Sequence, residues 1–341
     1  MESRHRGHVV QVNASGEIER AVGDPETMVT VRSAIKPFAL VALVEAGAAD
    51  DLRLSDPELA IMAASHAGED RHVRTLQAVF RRAGISQTLL ACGAEGMPID
   101  PTTAARLARD GEEAGPIRHQ CSGFHAASLL LSRFKGWSLE DYYRPDHPSQ
   151  VAVRDTVARL FGTTPTALET GGDDCGLLTY AFPLVEVARA FGLLADPGSA
   201  VDTGRARSAP ALTRIRDAMM AAPDMVGGTQ DMLDTVLMKR RPGQLVIKGG
   251  AESLRGVGIM AGARAKHPSS AGVAVKIEDG DGQGRANRAV TVEALSQLGA
   301  LDERDLRALV AQHRPVSRDP MRRVVAESVV GFELAPMSEL L

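Results

Sequence analysis

Apolar and polar positions change their spacing twice along the chain. Near the N-terminus, short apolar runs separated by Asn, Gly and Asp-Pro turn residues predict strands. These strands are expected at residues 8–12, 17–22 and 28–32. From Ser33 to about Arg241, apolar residues recur at helical spacing instead, as they do in Val73, Leu76 and Phe80. The middle of the chain is therefore expected to be mainly helical.

Strand patterns return in the last third of the chain. They are expected at 244–248, 256–260 and 272–278, with a last strand near 329–334. Strands at both ends with helices between them predict an α+β fold, in which an antiparallel sheet formed by both chain ends is covered by helices. No stretch has the length or composition of a flexible linker. We therefore expect one domain spanning residues 1–341.

Charge and cysteine content restrict the class of partner. With 39 basic and 43 acidic residues, the net charge of -4 argues against nucleic acid or an anionic membrane as the partner. A small-molecule substrate is the better expectation. The N-terminus is charged where a signal peptide needs an apolar core, no apolar run is long enough for a membrane span, and the three cysteines are too few for a disulfide framework. These features indicate a cytoplasmic protein.

A serine and a lysine three positions apart follow the third predicted strand. Ser33 and Lys36 form an S-x-x-K motif, and residues at this spacing share one face of a helix. Pro37 is tolerated only in a first helical turn, so Ser33 is expected at the helix N-terminus. A lysine can take the serine proton when burial or a second cation, such as Lys248, favours its uncharged form. The motif predicts a hydrolase, and an ordinary helix-capping serine is the alternative.

Five motifs, spread over nearly the whole chain, extend this hypothesis. They are Arg32-Ser33-Ala34-Ile35-Lys36-Pro37, Ala64-Ser65-His66, Cys121-Ser122-Gly123 followed by His125, Gly172-Asp173-Asp174-Cys175-Gly176 and Lys248-Gly249-Gly250-Ala251-Glu252. In order and spacing they resemble the asparaginase II family, the Rhizobium etli type of L-asparaginase. The resemblance implies a fold similar to serine β-lactamases and glutaminases, a homodimer, and hydrolysis of L-asparagine to L-aspartate and ammonia. It also implies two Ser-Lys pairs, Ser33 with Lys36 and Ser65 with Lys248.

These two pairs predict an acyl-enzyme mechanism that requires no cofactor. Ser33 attacks the side-chain amide carbon of the substrate, and Lys36 acts as the first base. Ser65 and Lys248 then relay the proton to the leaving ammonia. Water finally hydrolyses the acyl-enzyme.

The chain departs from the family at one metal ligand. The resemblance implies zinc bound by two cysteines and by a lysine three positions after the first cysteine. Here that position is Phe124, and a phenyl ring cannot ligate a metal. Cys121 and Cys175 are retained as candidate ligands, with His119 and His125 near the first of them. Three states stay open: zinc held by the two thiolates with a histidine or water, no metal, or two plain thiols.

The resemblance further implies that Arg32, His125 and Asp173 line the substrate pocket. A guanidinium could bind the substrate α-carboxylate and a carboxylate its α-amino group. The bulk of Phe124 indicates that affinity or substrate choice differs from that of the family. Two alternatives to an asparaginase stay open: a related amidohydrolase acting on glutamine or another amide, and a catalytically inactive homologue that binds an amino acid as a sensor.

Overall fold

The computed structural model describes residues 1–199, 203–264, 267–282 and 284–336. The strands are β1 (Gly7–Asn13), β2 (Ile18–Val22), β3 (Met28–Thr30), β4 (Glu169–Gly172), β5 (Leu178–Pro183), β6 (Leu245–Gly250), β7 (Leu254–Ile259), β8 (Ala271–Ile277), β9 (Val316–Arg318), β10 (Val324–Glu327) and β11 (Ala335–Pro336).

The α-helices are α1 (Lys36–Ala39), α2 (Val41–Glu45), α3 (Ala48–Asp51), α4 (Asp56–Met62), α5 (Asp70–Ala83), α6 (Pro101–Asp110), α7 (Ser122–Lys135), α8 (Pro148–Leu160), α9 (Leu184–Ala195), α10 (Thr203–Ala206), α11 (Ala209–Ala221), α12 (Pro223–Val226), α13 (Leu233–Arg240), α14 (Arg285–Gln297), α15 (Glu303–Ala308) and α16 (Val310–His313). Short 3-10 helices lie at Arg32–Ile35, Gln87–Leu89, Pro116–Arg118 and Pro197–Ser199. Within the described ranges, no helix has both the length and the apolar composition that crossing a bilayer requires.

The chain divides into two compact units, the first of which contains both chain ends. It comprises Met1–Ala34, Ala181–Ser199 and Arg240–Leu341. Its core is a six-stranded antiparallel sheet with the strand order β11-β2-β1-β8-β7-β6. Helix α9 packs on β1, β7 and β8, while α14 packs on β7 and β8. The predicted α+β fold, with a sheet formed by both chain ends and covered by helices, is therefore confirmed.

Glycines in the sheet allow α9 to lie directly on it. A Cβ added at Gly272 would collide with the carbonyl oxygen of Ala188, and one at Gly256 would collide with the ring of Phe191. Gly256 is also the cross-strand partner of Lys248. The close packing of α9 therefore holds β7, the strand that pairs with β6, in position.

The predicted strand boundaries differ from the structure mainly near the C-terminus. The strand expected near 329–334 is wrong, because those residues are irregular and the pairing with β2 begins only at Ala335. Val329 is 73% exposed, so its apolar side chain does not report burial in a sheet. The exposed hairpin of β9 and β10 was not predicted, and neither were β4 and β5, which interrupt the helical middle of the chain.

The second unit is mainly helical and comprises Ile35–Tyr180 and Ala200–Lys239. Helix α4 packs against α5, α7, α11 and α12, and α7 also contacts α2 and α8. At the start of α7, a Cβ on Gly123 would overlap the carbonyl oxygen of Ile61, so this glycine brings α7 into backbone contact with α4. The expected organisation as a single domain stays a prediction.

Candidate active site

The turn after β3 carries Ser33 in the first unit. It is a 3-10 helix, Arg32–Ile35, in which Arg32 has a φ of 46°. That left-handed conformation costs energy for a residue with a side chain, and such strain is concentrated at functional sites. Helix α1 follows at Lys36 and has Pro37 in its first turn. The predicted position of Ser33 at the beginning of a helical segment is therefore confirmed.

Lys248 lies on β6 in the same unit, and its side chain is buried. Its Nζ donates a hydrogen bond to the carbonyl of Gly249 at 2.6 Å. Gly250 lies so close to the Ser33 turn that a Cβ would be 2.6 Å from the carbonyl oxygen of Val31 and 3.5 Å from the Cβ of Arg32. Because any side chain would overlap that backbone, glycine allows the end of β6 to lie against the Ser33 turn.

Lys36 begins α1 in the second unit and is only 1% exposed. Its Nζ donates to the carbonyl oxygen of Ala64 at 2.7 Å, to Oγ of Ser65 at 3.2 Å and to Sγ of Cys121 at 3.1 Å. An ammonium group has three donors, and these three acceptors satisfy all of them. An uncharged amine has two donors and a lone pair that can accept from the Ser65 hydroxyl. The arrangement is thus compatible with both protonation states of Lys36.

Ser65 lies in an irregular segment after α4 that backbone hydrogen bonds hold in place. Its N–H donates to the carbonyl of Val226 at 3.1 Å, and the N–H of His66 donates to the carbonyl of Gln120 at 3.2 Å. These bonds fix the serine backbone on both sides of the segment. The Ser65 hydroxyl is therefore positioned against Lys36 before any substrate arrives.

Three side chains beside Lys36 form what we term the thiol cluster: Cys121, Asp173 and Cys175. One ligand atom from each lies within 4.8 Å of the others. Cys121 precedes α7, whereas Asp173 and Cys175 belong to the turn between β4 and β5. In this turn the N–H of Gly176, whose φ is 91°, donates to the carbonyl of Asp173 at 2.8 Å. The turn places the thiol of Cys175 3.3 Å from Oδ2 of Asp173.

The pKa values of the two cysteines in the thiol cluster are shifted in opposite directions. A hydrogen bond from Cys175, assisted by the charge of Lys36, holds the pKa of Cys121 well below its usual range although burial opposes this. The same hydrogen bond, together with burial, raises the pKa of Cys175. The proton of Cys175 thus has two anionic acceptors, Cys121 and Asp173. The hydrogen bond from Nζ of Lys36 to Sγ of Cys121, at 3.1 Å, favours the thiolate form of Cys121 in the same way.

The donor set of the thiol cluster fits a zinc ion. Two sulfurs and a carboxylate oxygen are typical zinc ligands, and a tetrahedral site separates such atoms by roughly 3.5–3.8 Å. The atoms of Cys121, Asp173 and Cys175 need to approach by about 1 Å at most, since all lie within 4.8 Å of one another. Phe124, where the resemblance implies a lysine ligand, is buried with its ring centroid 5.9 Å from the Nζ of Lys36. The phenyl ring contributes packing and no ligand.

His125 is fully buried and keeps an unused donor. Its Nδ1 lies 2.6 Å from the hydroxyl of Tyr142, which accepts from the N–H of Ala91 and therefore donates to His125. Burial lowers the pKa of His125 to about 3, so the ring is neutral and carries its proton on Nε2. That Nε2 makes no well-aligned hydrogen bond among the described residues, although the backbone of Cys175 is near enough to the ring to raise its pKa. A buried donor without an acceptor is a suitable contact for a bound polar molecule.

Sequence reasoning missed a buried polar pair behind Ser65. Nε2 of His66 lies 2.9 Å from Oγ of Ser122, and that hydroxyl donates to the carbonyl of Ile117 at 2.8 Å. Burial lowers the pKa of His66 well below its usual range. Both residues directly follow a predicted site residue in the sequence, which is the signal that could have identified them.

The predicted site residues are divided between the two units. The first unit contains Arg32, Ser33 and Lys248, and the second contains Lys36, Ser65, Cys121, His125, Asp173 and Cys175. Within the second unit, Lys36 contacts Ser65 and Cys121, and Cys121 lies beside the other two members of the thiol cluster. The predicted pairs, Ser33 with Lys36 and Ser65 with Lys248, stay predictions, as do the roles assigned to these residues.

Comparison with known proteins gives one family and one set of solved structures. The family model described as L-asparaginase II matches residues 1–330. No curated protein matches the chain. Among solved structures, the chain is similar to Mglu in its L-glutamate binding form, with 14% sequence identity, a TM-score of 0.39, and coverage of 89% of this chain and 63% of Mglu. The similarity to Mglu in its native form has 15% sequence identity and a TM-score of 0.39, and it covers 88% of this chain and 66% of Mglu. The chain spans less than two-thirds of the length of these Mglu chains.

Proposed function

The chain belongs to the L-asparaginase II family and is an amidohydrolase, and on this premise we propose that it hydrolyses L-asparagine to L-aspartate and ammonia through a serine acyl-enzyme. The observation that carries the proposal is the buried amine of Lys36, 3.2 Å from the hydroxyl of Ser65. A lysine and a serine in this relation can exchange a proton without solvent. Membership of the family supports asparagine as the substrate, and the contact between Lys36 and Ser65 supports the mechanism.

Ser33 is the nucleophile in this proposal. Its position three residues before Lys36 and the strained backbone of Arg32 support the assignment. Oγ of Ser33 attacks the side-chain amide carbon, and its proton passes to Lys36 as the first base. The C–N bond then breaks, and ammonia leaves with the transferred proton. Water hydrolyses the remaining ester to release aspartate and restore the serine.

Ser65 and Lys248 relay the proton from Lys36 to the leaving ammonia in this proposal. The Ser65 hydroxyl can accept a hydrogen bond from the ammonium form of Lys36 and donate one to a neighbouring base. Its fixed backbone favours this role, because a preorganised donor needs no rearrangement during the reaction. The burial of Lys248 on β6 also supports a role other than a solvated surface charge.

Arg32, His125 and Asp173 bind the substrate in this proposal. Arg32 supplies a guanidinium for the α-carboxylate and Asp173 a carboxylate for the α-amino group. The unpartnered Nε2 of His125 supports a contact with a polar substrate atom. Cys121, Cys175 and Asp173 would hold a zinc ion, which when bound would keep both thiols beside Lys36 deprotonated.

Ammonia release from the purified protein tests the proposal. The wild type and Ser33→Ala are each assayed with L-asparagine, L-glutamine and simple amides. The control is Ser132→Ala, which removes another serine hydroxyl, one that donates to the carbonyl of Ser128 inside α7. We expect ammonia from asparagine with the wild type and the control, and a loss of roughly 10³-fold or more in Ser33→Ala.

Each contrary result overturns a different part of the proposal. Faster release from glutamine would make the chain a glutaminase-type amidohydrolase. Full activity of Ser33→Ala would exclude Ser33 as the nucleophile. Binding of an amino acid, measured by calorimetry, without ammonia release from any amide would instead identify an inactive sensor.

A further inference from the structure

We propose that Asp173 completes a three-ligand zinc site with Cys121 and Cys175, in place of the lysine ligand that Phe124 cannot provide. The proposal concerns metal binding by the thiol cluster and is independent of the amide on which the protein acts. It resolves the three metal states that the sequence leaves open. It also assigns to the Asp173 carboxylate a role beyond contact with substrate.

The backbone brings the three ligands together without a bound ion. Asp173 and Cys175 lie on one short turn, with Sγ of Cys175 3.3 Å from Oδ2 of Asp173. Cys121 lies at the start of α7, which Gly123 seats against the backbone of α4. A ligand set held by a hydrogen-bonded turn and a buried helix loses little freedom when a metal binds. The site is therefore largely preorganised.

Asp173 is a better third ligand than either nearby histidine. Nδ1 of His119 already accepts the backbone N–H of Cys121 at 3.0 Å, and Nδ1 of His125 is occupied by Tyr142, so each ring has only Nε2 left as a ligand atom. Among the described residues, the group of potential ligand atoms within 4.8 Å contains the carboxylate of Asp173 and neither histidine. The carboxylate is thus the donor that needs the smallest movement.

Lys36 balances the charge of the loaded site. Two metal-bound thiolates and one carboxylate carry three negative charges, since coordinated thiols are deprotonated. A zinc ion compensates two of them. The Nζ of Lys36, 3.1 Å from Sγ of Cys121, compensates the third by a charge-assisted hydrogen bond. The buried assembly of ion, three ligands and Lys36 is neutral, which is the favourable condition for burial.

A metal titration of the full chain tests the proposal without measuring activity. The protein is stripped with a chelator, and zinc is then titrated in competition with a chromophoric chelator. Cobalt replaces zinc in a parallel experiment, because its absorption reports tetrahedral geometry and thiolate ligation. The variants are Asp173→Asn and the matched control Asp174→Asn, which neutralises the adjacent exposed carboxylate. A third variant combines Asp173→Asn with Phe124→Lys.

We expect one zinc ion per chain in the wild type and in Asp174→Asn. Asp173→Asn should bind zinc at least 10-fold more weakly, because it loses an anionic ligand. Adding Phe124→Lys should recover affinity by restoring a ligand at the position where the family has one. Cobalt should show thiolate charge-transfer absorption in the wild type and altered ligand-field bands in Asp173→Asn.

Two results would overturn the proposal. One is a wild type that binds neither metal, and the other is an Asp173→Asn variant that binds zinc as tightly as the wild type. If circular dichroism shows that Asp173→Asn does not fold, Asp173→His is used instead. It retains a zinc ligand, so cobalt must bind with changed ligand-field bands, and an unchanged spectrum would exclude Asp173 from the site.

Discussion

The Nζ of Lys36 lies 3.1 Å from the sulfur of Cys121, and the two side chains are almost completely buried. This hydrogen bond joins the proposed proton relay to the thiol cluster. Because the same Nζ also contacts Ser65, the charge of Cys121 acts on a group that is proposed to accept and release protons. The relay and the thiol cluster are therefore electrostatically dependent on each other.

Removal of the Cys121 thiolate should destabilise the fold. Cys121→Ser replaces the sulfur that accepts a hydrogen bond from the buried Nζ of Lys36 with a neutral hydroxyl, and losing a hydrogen bond to a charged group costs about 1.5–3 kcal/mol. The free energy of unfolding, measured by urea denaturation of the metal-free protein, gives the effect. The control is Cys92→Ser, which alters a buried thiol whose S–H donates only to a backbone carbonyl, that of Pro116. Equal losses in the two variants would show that the contact between Lys36 and Cys121 adds nothing to stability.

Loss of the Ser65 hydroxyl should slow catalysis far more than it affects folding. Ser65→Ala removes the side-chain partner that Lys36 contacts at 3.2 Å and leaves the carbonyl of Ala64 and the thiolate of Cys121 in place. Removing a positioned proton-transfer group typically costs 10²–10⁴-fold in rate, so we expect kcat to fall by about this factor. Ammonia release at saturating substrate measures it, with Ser132→Ala as the control. Near-wild-type kcat would remove Ser65 from the mechanism.

A side chain at Gly123 should displace the start of α7. The Cβ of Gly123→Ala would overlap the carbonyl oxygen of Ile61, which belongs to backbone and cannot rotate away. We expect the free energy of unfolding to fall by about 1–3 kcal/mol, the usual cost of overpacking. Gly115→Ala is the control, since no heavy atom lies within 4 Å of its Cβ and its φ is -85°. A loss no larger than in that control would show that α7 and α4 adjust freely.

Stability should decrease in mild acid because of His125. Burial lowers its pKa to about 3, below the value of roughly 6.5 expected in the unfolded chain. Between these values the unfolded state binds the extra proton, so stability is complete above pH 6.5 and is lost as the pH falls toward 3. From pH 7 to pH 5 this one group should cost about 2 kcal/mol.

The variant His125→Gln isolates that contribution, because it removes the titrating ring. Urea denaturation at pH 7 and at pH 5 should show a smaller loss in the variant than in the wild type, by about the same 2 kcal/mol. His66, whose pKa burial also lowers, continues to act in both proteins. Parallel pH dependences of the two proteins would show that His125 is protonated in the folded state.

The sheet was predictable because its longer strands are rich in apolar residues and are separated by turn residues. The patterns at 8–12 and 272–278 match β1 and β8 within one residue, and both strands are mostly buried. The hairpin of β9 and β10 lacks such a signal, since Val324 and most other residues of its strands are exposed. Periodicity reports burial, so strands without a buried face are not detected by it.

The sequence indicated which residues belong to the candidate site, but it indicated only some of the contacts between them. The three-residue spacing of Ser33 and Lys36 could be interpreted as a proton-transfer pair because both residues lie within one helical turn. The contact of Lys36 with Cys121 joins positions 85 residues apart and depends on how closely Gly123 allows two helices to approach. Close approaches of this kind are determined by tertiary packing, and no spacing in the sequence encodes them. For the same reason, the proximity of Asp173 to Cys121 became evident only from the structure.

The separation of Cys121 and Cys175 along the chain gives the thiol cluster a mechanical consequence. A metal ion bonded to both sulfurs would close a loop of 54 residues (175 minus 121) that contains α7 and α8. By the chain-entropy estimate used for cross-links, closing a loop of this length removes about 4 kcal/mol of conformational freedom from the unfolded chain. Because the unfolded chain does not hold such a site ready, the free energy of metal binding adds to the stability of the fold. Ion availability during synthesis would then govern how much folded protein accumulates, whatever the ion contributes to turnover.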